Sequence, residues 1–206
     1  MSSESNIHNK NITIGVLALQ GAFIEHIKII KQLNINAIAV RLPEDLKKVQ
    51  GLIIPGGEST VIGRLLHQWG LWDIIRERVA QGTLGVWGTC AGAILLAKEV
   101  PNLDVQGLQL MDITVVRNAF GRQKESFIAP IQVQGFQTNA KSTAFPCIFI
   151  RAPLITQIGP QVQVMARLAD DRIVAAQQDK LLATAFHPEL SSDSRFHRYF
   201  IKMVSA

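Results

Sequence analysis

The sequence predicts an α/β fold of three layers around a mixed, mainly parallel sheet, and three observations predict it. Short apolar runs alternate with helix-periodic segments through the first hundred residues, the order expected of parallel strands joined by crossover helices. One apolar run, Leu84-Gly85-Val86-Trp87, leads through Gly88-Thr89-Cys90-Ala91-Gly92 into the helix-forming Ala93-Ile94-Leu95-Leu96-Ala97-Lys98, so a strand turns abruptly into a helix. Beyond Ala97, β-branched residues dominate and helical periodicity is scarce until the C-terminus, so the later half is expected to add antiparallel strands.

Taken in order, residues 12–19 read as the first strand. Residues 22–33 read as an amphipathic helix with Phe23, Ile27, Ile30 and Leu33 on one face. Residues 37–42 and 52–54 read as strands, 60–69 and 72–81 as helices, and 84–88 as the strand that feeds the turn. Strands are then expected over 108–116, 127–133, 162–168, 173–178 and 181–185, and a closing helix over 193–204. In this order a ligand crevice lies beyond the carboxyl ends of the parallel strands. The 206 residues are 48% hydrophobic, enough for one substantial core, and no long polar or proline-rich linker divides them. Residues 12–206 read as one domain behind a polar N-terminal extension, 1–11.

Composition excludes several classes. The net charge of +5 comes from 21 basic against 16 acidic residues, but the basic residues are dispersed with few aromatics between them, which argues against nucleic acid. No apolar run approaches the roughly 18 residues of a membrane span, and the N-terminus lacks the apolar stretch of an export signal. A cytoplasmic protein is expected. His26, His67 and His197 fall in helical segments and read as facing solvent or packing against neighbours. No cluster has metal-ligand spacing, and neither metal nor cofactor is expected. Cys147, between Pro146 and Ile148-Phe149-Ile150, reads as core.

Three motifs carry chemistry. The strand-to-helix turn at Cys90 has the form of a nucleophile elbow, in which small neighbours let the chain turn and the helix N-terminus favours a thiolate. His187-Pro188-Glu189 supplies a base and a carboxylate two residues on, the pair a thiol nucleophile needs. At the end of a strand, residues two apart point the same way, so both are expected to face Cys90. Pro55-Gly56-Gly57-Glu58-Ser59 follows the apolar Leu52-Ile53-Ile54. Its glycines let backbone N–H groups approach a developing oxyanion, with Gly57 N–H and Ala91 N–H as the expected donors. The plainer reading of this last motif is a strand-to-helix loop capped by Ser59.

In this order, the three motifs resemble those of class I, triad-type glutamine amidotransferases, whose fold is flavodoxin-like. More narrowly, the chain resembles the glutaminase subunits of pyridoxal 5'-phosphate synthases. The narrower likeness is carried by Leu19-Gln20-Gly21-Ala22, Pro55 to Thr60, Gly88 to Gly92, Arg117-Asn118-Ala119-Phe120-Gly121-Arg122-Gln123, Phe149-Ile150-Arg151-Ala152-Pro153 and Phe186-His187-Pro188-Glu189-Leu190. Trp87 stands where the family more often has Phe.

The resemblance implies a Cys90-His187-Glu189 triad that hydrolyses L-glutamine to glutamate and ammonia. The ammonia would pass to a TIM-barrel synthase subunit in a heteromeric complex. It implies substrate contacts from Gly56, Gly57, Glu58, Arg117, Ile150 and Arg151, and a role for Gln20 against the oxyanion loop or the partner. It also implies a free Cys90 thiol, hence a reducing compartment. The alternatives are the glutaminase subunit of another amidotransferase, a cysteine hydrolase of the same broad fold, and a non-catalytic regulatory subunit.

Overall fold

The computed structural model describes residues 12–117, 119, 126–136 and 144–205. The expected extension, 1–11, lies outside them. The first half alternates as anticipated: β1 (Thr13–Leu17), α1 (Phe23–Gln32), β2 (Asn36–Val40), a short α2 (Pro43–Leu46), β3 (Gly51–Ile54), α3 (Ser59–Gln68), α4 (Leu71–Ala80), β4 (Gly85–Thr89) and α5 (Ala91–Leu96). The second half holds β5 (Ala97–Glu99), β6 (Met111–Val116), β7 (Ser126–Gln132), β8 (Ala144–Ile150), β9 (Leu154–Ile158), β10 (Gln163–Arg167), β11 (Ile173–Gln178), β12 (Leu181–Thr184), a 3-10 turn (Pro188–Leu190) and α6 (Arg195–Ser205).

One mixed sheet carries the order β2-β1-β3-β4-β12-β11-β9-β6-β5, with β10 added against β11. The strands β1 to β4 pair in parallel, as do β4 with β12 and β5 with β6, while β11 runs antiparallel to β9, β10 and β12. The central strands β3, β4 and β12 are buried along their whole length, which is why they read as continuous apolar runs rather than alternating ones. Period-two alternation still sorts their side chains. Leu52, Ile54, Val86, Leu181 and Ala183 enter one core with α3, α4 and α5, and Ile53, Trp87 and Leu182 enter the other with α1 and α6. Helices on both faces of the sheet make the three layers.

Several sequence expectations need correction. Residues 181–185 were expected as an antiparallel addition, but β12 runs parallel to β4, in register from Val86 to Thr89. The reversal at β11 turns the chain back into the parallel direction. The helix expected to continue through Lys98 stops at Leu96, and Ala97–Glu99 extends into β5. Strands β8 and β9 were not anticipated. Pro146 argues against a strand, yet β7 and β8 form a separate two-stranded sheet in which Pro130 lies opposite Pro146. Neither proline has an N–H to lose, so placing the two at one register position disturbs a single rung. This small sheet covers the α1/α6 face through Phe145, Cys147 and Phe149, and Cys147 is fully buried.

The turn from β4 into α5 depends on close backbone approach. A Cβ on Gly92 would stand 2.0 Å from Ile54 O, and one on Gly88 2.4 Å from the Gly92 carbonyl. Gly92→Ala is therefore expected to destabilise the protein by at least about 2 kcal/mol through overpacking against backbone that cannot yield. Urea denaturation of the two proteins measures this, and equal midpoints would contradict it.

Candidate active site

Strand β4 ends at Thr89 and α5 begins at Ala91, so Cys90 alone makes the turn, at φ 48°, ψ −103°. A non-glycine residue in such a conformation costs of order 1–3 kcal/mol and persists only where its surroundings impose it. Here they do: Cys90 N–H donates to Thr184 O at 2.8 Å, tying the turn to β12, and the Gly88–Gly92 contact closes it from within. The thiol is free and 8% exposed. Its sulfur lies 4.0 Å from the carbonyl oxygen of Ile150, at the end of β8.

His187 and Glu189 do not extend a strand, as the sequence reading supposed. β12 stops at Thr184, and His187 caps the 3-10 turn Pro188–Leu190. In consequence the two side chains are in series rather than side by side. His187 Nδ1 lies 2.7 Å from Glu189 Oε1, and the imidazole also interacts with the Cys90 side chain. Backbone anchoring fixes the ring: His187 N–H donates to Ile148 O at 2.8 Å. Burial disfavours the imidazolium, but the hydrogen bonds to Cys90 and Glu189 and the charges behind them outweigh it and push the His187 pKa up to about 10. The arrangement is that of a proton store: an imidazole between a sulfur and a buried carboxylate. Cys147 is the contrasting case, a thiol pushed far up by burial, with Asp193 adding to the effect.

The glycine loop passes beside this pair. A Cβ on Gly56 would lie 2.3 Å from His187 Cε1 and 3.4 Å from Cys90 Cβ, so only glycine fits between them. Gly56 O accepts from Ala22 N–H at 3.0 Å, and Glu58 N–H donates to Gln20 Oε1 at 2.8 Å. The loop is thus held at both ends by the turn after β1. With Gly56 C=O turned to Ala22, the planar trans peptide aims Gly57 N–H the opposite way.

Glu58, not Ser59, caps α3, accepting from Thr60 N–H at 3.2 Å and Val61 N–H at 2.8 Å. It also meets Arg117 Nη2 at 3.6 Å. Both side chains are partly exposed, so this ion pair is weak and exchangeable. Arg151, exposed at φ 43°, follows Ile150 at the rim. Of the 117–123 block, Asn118 and residues 120–123 lie outside the described residues.

Sequence reasoning missed the far side of Glu189. Its Oε2 lies 3.4 Å from His26 Nε2, and His26 Nδ1 is 2.9 Å from His197 Nε2. Both histidines are fully buried. The available signal was their position: His26 falls three residues after Phe23 and four before Ile30, and His197 falls between Phe196 and Phe200, each within an apolar stripe. His67 instead stacks on Trp72. Trp87 forms the wall behind His26 and His197, with ring centroids 5.7 and 5.0 Å away. Its indole N–H, which a Phe would not bring, donates to Thr184 Oγ1 at 3.1 Å.

A cysteine held at a strand-to-helix turn, a histidine backed by a carboxylate and a glycine loop thus come together on a three-layer α/β fold. The profile of the SNO glutamine amidotransferase family matches residues 16–206, and the chain belongs to that family. It is 54% identical over 193 residues to a pyridoxal 5'-phosphate synthase subunit PdxT of Herpetosiphon aurantiacus, covering 92% of this chain and 99% of that one. It is 52% identical over 198 residues to the protein of the same name from Deinococcus radiodurans, covering 94% and 97%. A crystal structure of a glutamine amidotransferase superposes with a TM-score of 0.88 at 46% identity, over 94% of this chain and 99% of the other. PurLQS from Thermotoga maritima, at 16% identity and a TM-score of 0.62 over 95% and 96%, shares the fold.

The raised His187 pKa gives a direct prediction. In an NMR titration the His187 ring protons are expected to shift with a midpoint well above the ordinary 6.5, towards 10. Glu189→Gln removes one of the interactions that raise it and is expected to lower the midpoint. A wild-type midpoint at or below 6.5 would contradict the coupling.

Proposed function

We propose that the chain is the glutaminase subunit of a pyridoxal 5'-phosphate synthase, hydrolysing L-glutamine and delivering the ammonia to a synthase subunit. The observation that carries this reading is the series Cys90, His187, Glu189, with Cys90 held at positive φ beside Gly56, in a chain of the glutamine amidotransferase family.

The Cys90 sulfur attacks the side-chain amide carbon of glutamine, and the carbonyl electrons move onto oxygen. The N–H groups of Gly57 and Ala91 receive that oxyanion; the N–H at the start of a helix has no intrahelical partner and is available. His187 gives its proton to the departing nitrogen, ammonia leaves and a thioester remains. Water then gives a proton to His187 and adds to the thioester carbon. Collapse expels the thiolate, and the new carboxyl group gives its remaining proton to solvent and leaves as glutamate.

Arg117 suits the α-carboxylate of glutamine and Glu58 its α-ammonium, because their mutual ion pair is weak enough to exchange for the substrate's. Gly56, Ile150 and Arg151 complete the wall. No helix among the described residues is long and apolar enough to cross a membrane, and the reading is of a cytoplasmic enzyme whose partner is the TIM-barrel synthase subunit.

The partner also offers a means of control. The Gly56–Gly57 peptide is oriented by the bond from Ala22 N–H to Gly56 O, a net contribution of about 0.5–1.5 kcal/mol. Selecting the orientation that turns Gly57 N–H to the oxyanion lies within the few kcal/mol that differential contact with a partner supplies. Glycine tolerates either orientation.

Three outcomes test the proposal. Cys90→Ala is expected to lower glutamate production at least about 1000-fold while the far-ultraviolet circular dichroism stays that of the wild type; turnover near the wild-type rate removes the nucleophile assignment. Glu189→Gln is expected to cut kcat by about 100- to 10,000-fold with a smaller change in KM, and a near-normal rate would reduce Glu189 to a structural residue. The isolated chain is expected to hydrolyse glutamine more slowly than an equal concentration mixed with the synthase subunit. Equal rates would refute activation by the partner.

A further inference from the structure

We propose that His26 is a positioning residue for the triad: its Nε2–H holds the second carboxylate oxygen of Glu189, and His197 fixes the tautomer that makes this possible. The role rests on the reading of Cys90, His187 and Glu189 as the catalytic groups.

Glu189 presents two oxygens in opposite directions. Oε1 accepts from His187 Nδ1 at 2.7 Å. Oε2 is buried without a hydrogen bond of full geometry among the described residues, and His26 Nε2 stands 3.4 Å from it. The side chains of both residues are fully buried. A carboxylate oxygen enclosed in this way draws any donor within reach, because leaving it unpaired in a low-dielectric interior is costly. Thr89 Oγ1, at 3.5 Å from the same His26 nitrogen, is uncharged and can either accept from it or donate to it, so it competes only weakly with the carboxylate.

The protonation pattern follows from counting donors. Burial, together with the neighbouring His197 and His187, holds the His26 pKa well below its ordinary value, and burial takes that of His197 to about 3. Both imidazoles are then neutral near pH 7, and each carries one N–H to share between two nitrogens. His26 Nδ1 and His197 Nε2 are 2.9 Å apart, so one of them donates to the other.

If His26 Nδ1 were the donor, its Nε2 lone pair would face the Glu189 carboxylate. His197 would carry its proton on Nδ1, which is buried without a partner among the described residues. If His197 Nε2 is the donor, both faults disappear. His26 Nδ1 accepts, His26 Nε2 turns its N–H rather than its lone pair to the side where Glu189 Oε2 stands 3.4 Å away, and the unpaired His197 Nδ1 is only an acceptor, which costs less than a buried orphan N–H. The second arrangement is the one the geometry selects.

The consequence for the chemistry lies in what sits behind Glu189. A cation there would compensate the carboxylate and weaken its hold on the His187 imidazolium. A neutral N–H dipole instead orients the carboxylate and leaves its charge for His187. The relay His197, His26, Glu189, His187, Cys90 joins α6, α1, the 3-10 turn and the β4–α5 turn, so the triad is registered against both helices of one layer.

Nitrogen NMR of the full chain, labelled in histidine, reads the tautomers directly. His26 is expected to show a pyridine-type Nδ1 and a pyrrole-type Nε2, unchanged across the neutral pH range. A protonated Nδ1, or an imidazolium, would overturn the proposal whether or not any variant folds. In parallel, His26→Leu mixed with the synthase subunit is expected to lower kcat on glutamine about ten- to hundredfold, the scale of losing an outer hydrogen-bonding partner that orients a metal site's direct ligand, with KM within about twofold. His26→Gln, which keeps an N–H near the Nε2 position, is expected to recover part of the loss. Equal kcat in His26→Leu and wild type, or equal loss in both variants, would overturn the positioning role. The wrong tautomer leaves the triad reading intact, whereas an active Cys90→Ala removes the triad and leaves the tautomers untouched, so the two failures are distinguishable.

Discussion

The left-handed turn at Cys90 is the constraint on which the site depends, because the chain can make it only where three backbones meet almost without side chains between them. The absence of a Cβ at Gly88 lets β4 meet α5, and at Gly92 it lets α5 meet the end of β3. Cys90 N–H is held by β12. The strain at φ 48° is offset by these contacts and by the burial of β3, β4 and β12 on both faces, not by anything local to the cysteine. The parallel sheet therefore sets the position of the sulfur, and the sulfur's surroundings are whatever the neighbouring strand ends deliver: the glycine loop after β3, and His187 after β12.

Behind that front the site is closed off from bulk solvent. Glu189 is enclosed, and the aromatic wall of Trp87, Phe186, Phe196 and Phe200 fills the layer between the sheet and α6. A carboxylate in such surroundings interacts strongly with whatever it faces, since little solvent screens it. That is why the bond at 2.7 Å to His187 adds to the interaction with Cys90 in raising the imidazole pKa. It is also why the second oxygen of Glu189 matters. Front and back are thus built differently, the front from glycines and main-chain groups at the crevice, the back from buried polar side chains locked in an apolar layer.

The sequence was most legible where function is written locally. The turn at Cys90 and the pair His187 and Glu189 could be read from spacing, because a strand, a small-residue turn and a helix, or two residues flanking a proline, are short-range patterns. The first-half strands and helices were readable for the same reason. The later strands were not, since β8 contains a proline whose place is decided by Pro130 on the strand opposite, and β12 owes its parallel direction to β11. His26 and His197 are 171 residues apart in sequence, and their meeting with Glu189 is a product of helix packing. Their apolar-stripe positions signalled burial but not what they were buried against.

The account rests on Cys90 being the thiol that forms a covalent bond to the substrate's acyl carbon. A glutamine-like electrophile followed by peptide mass spectrometry tests this most directly, because the chain has only two cysteines and the structure gives them opposite environments. The adduct is expected on the peptide carrying Cys90, with Cys147 unmodified in its apolar layer. Labelling confined to Cys147, or equal labelling of both in the folded protein, would contradict it.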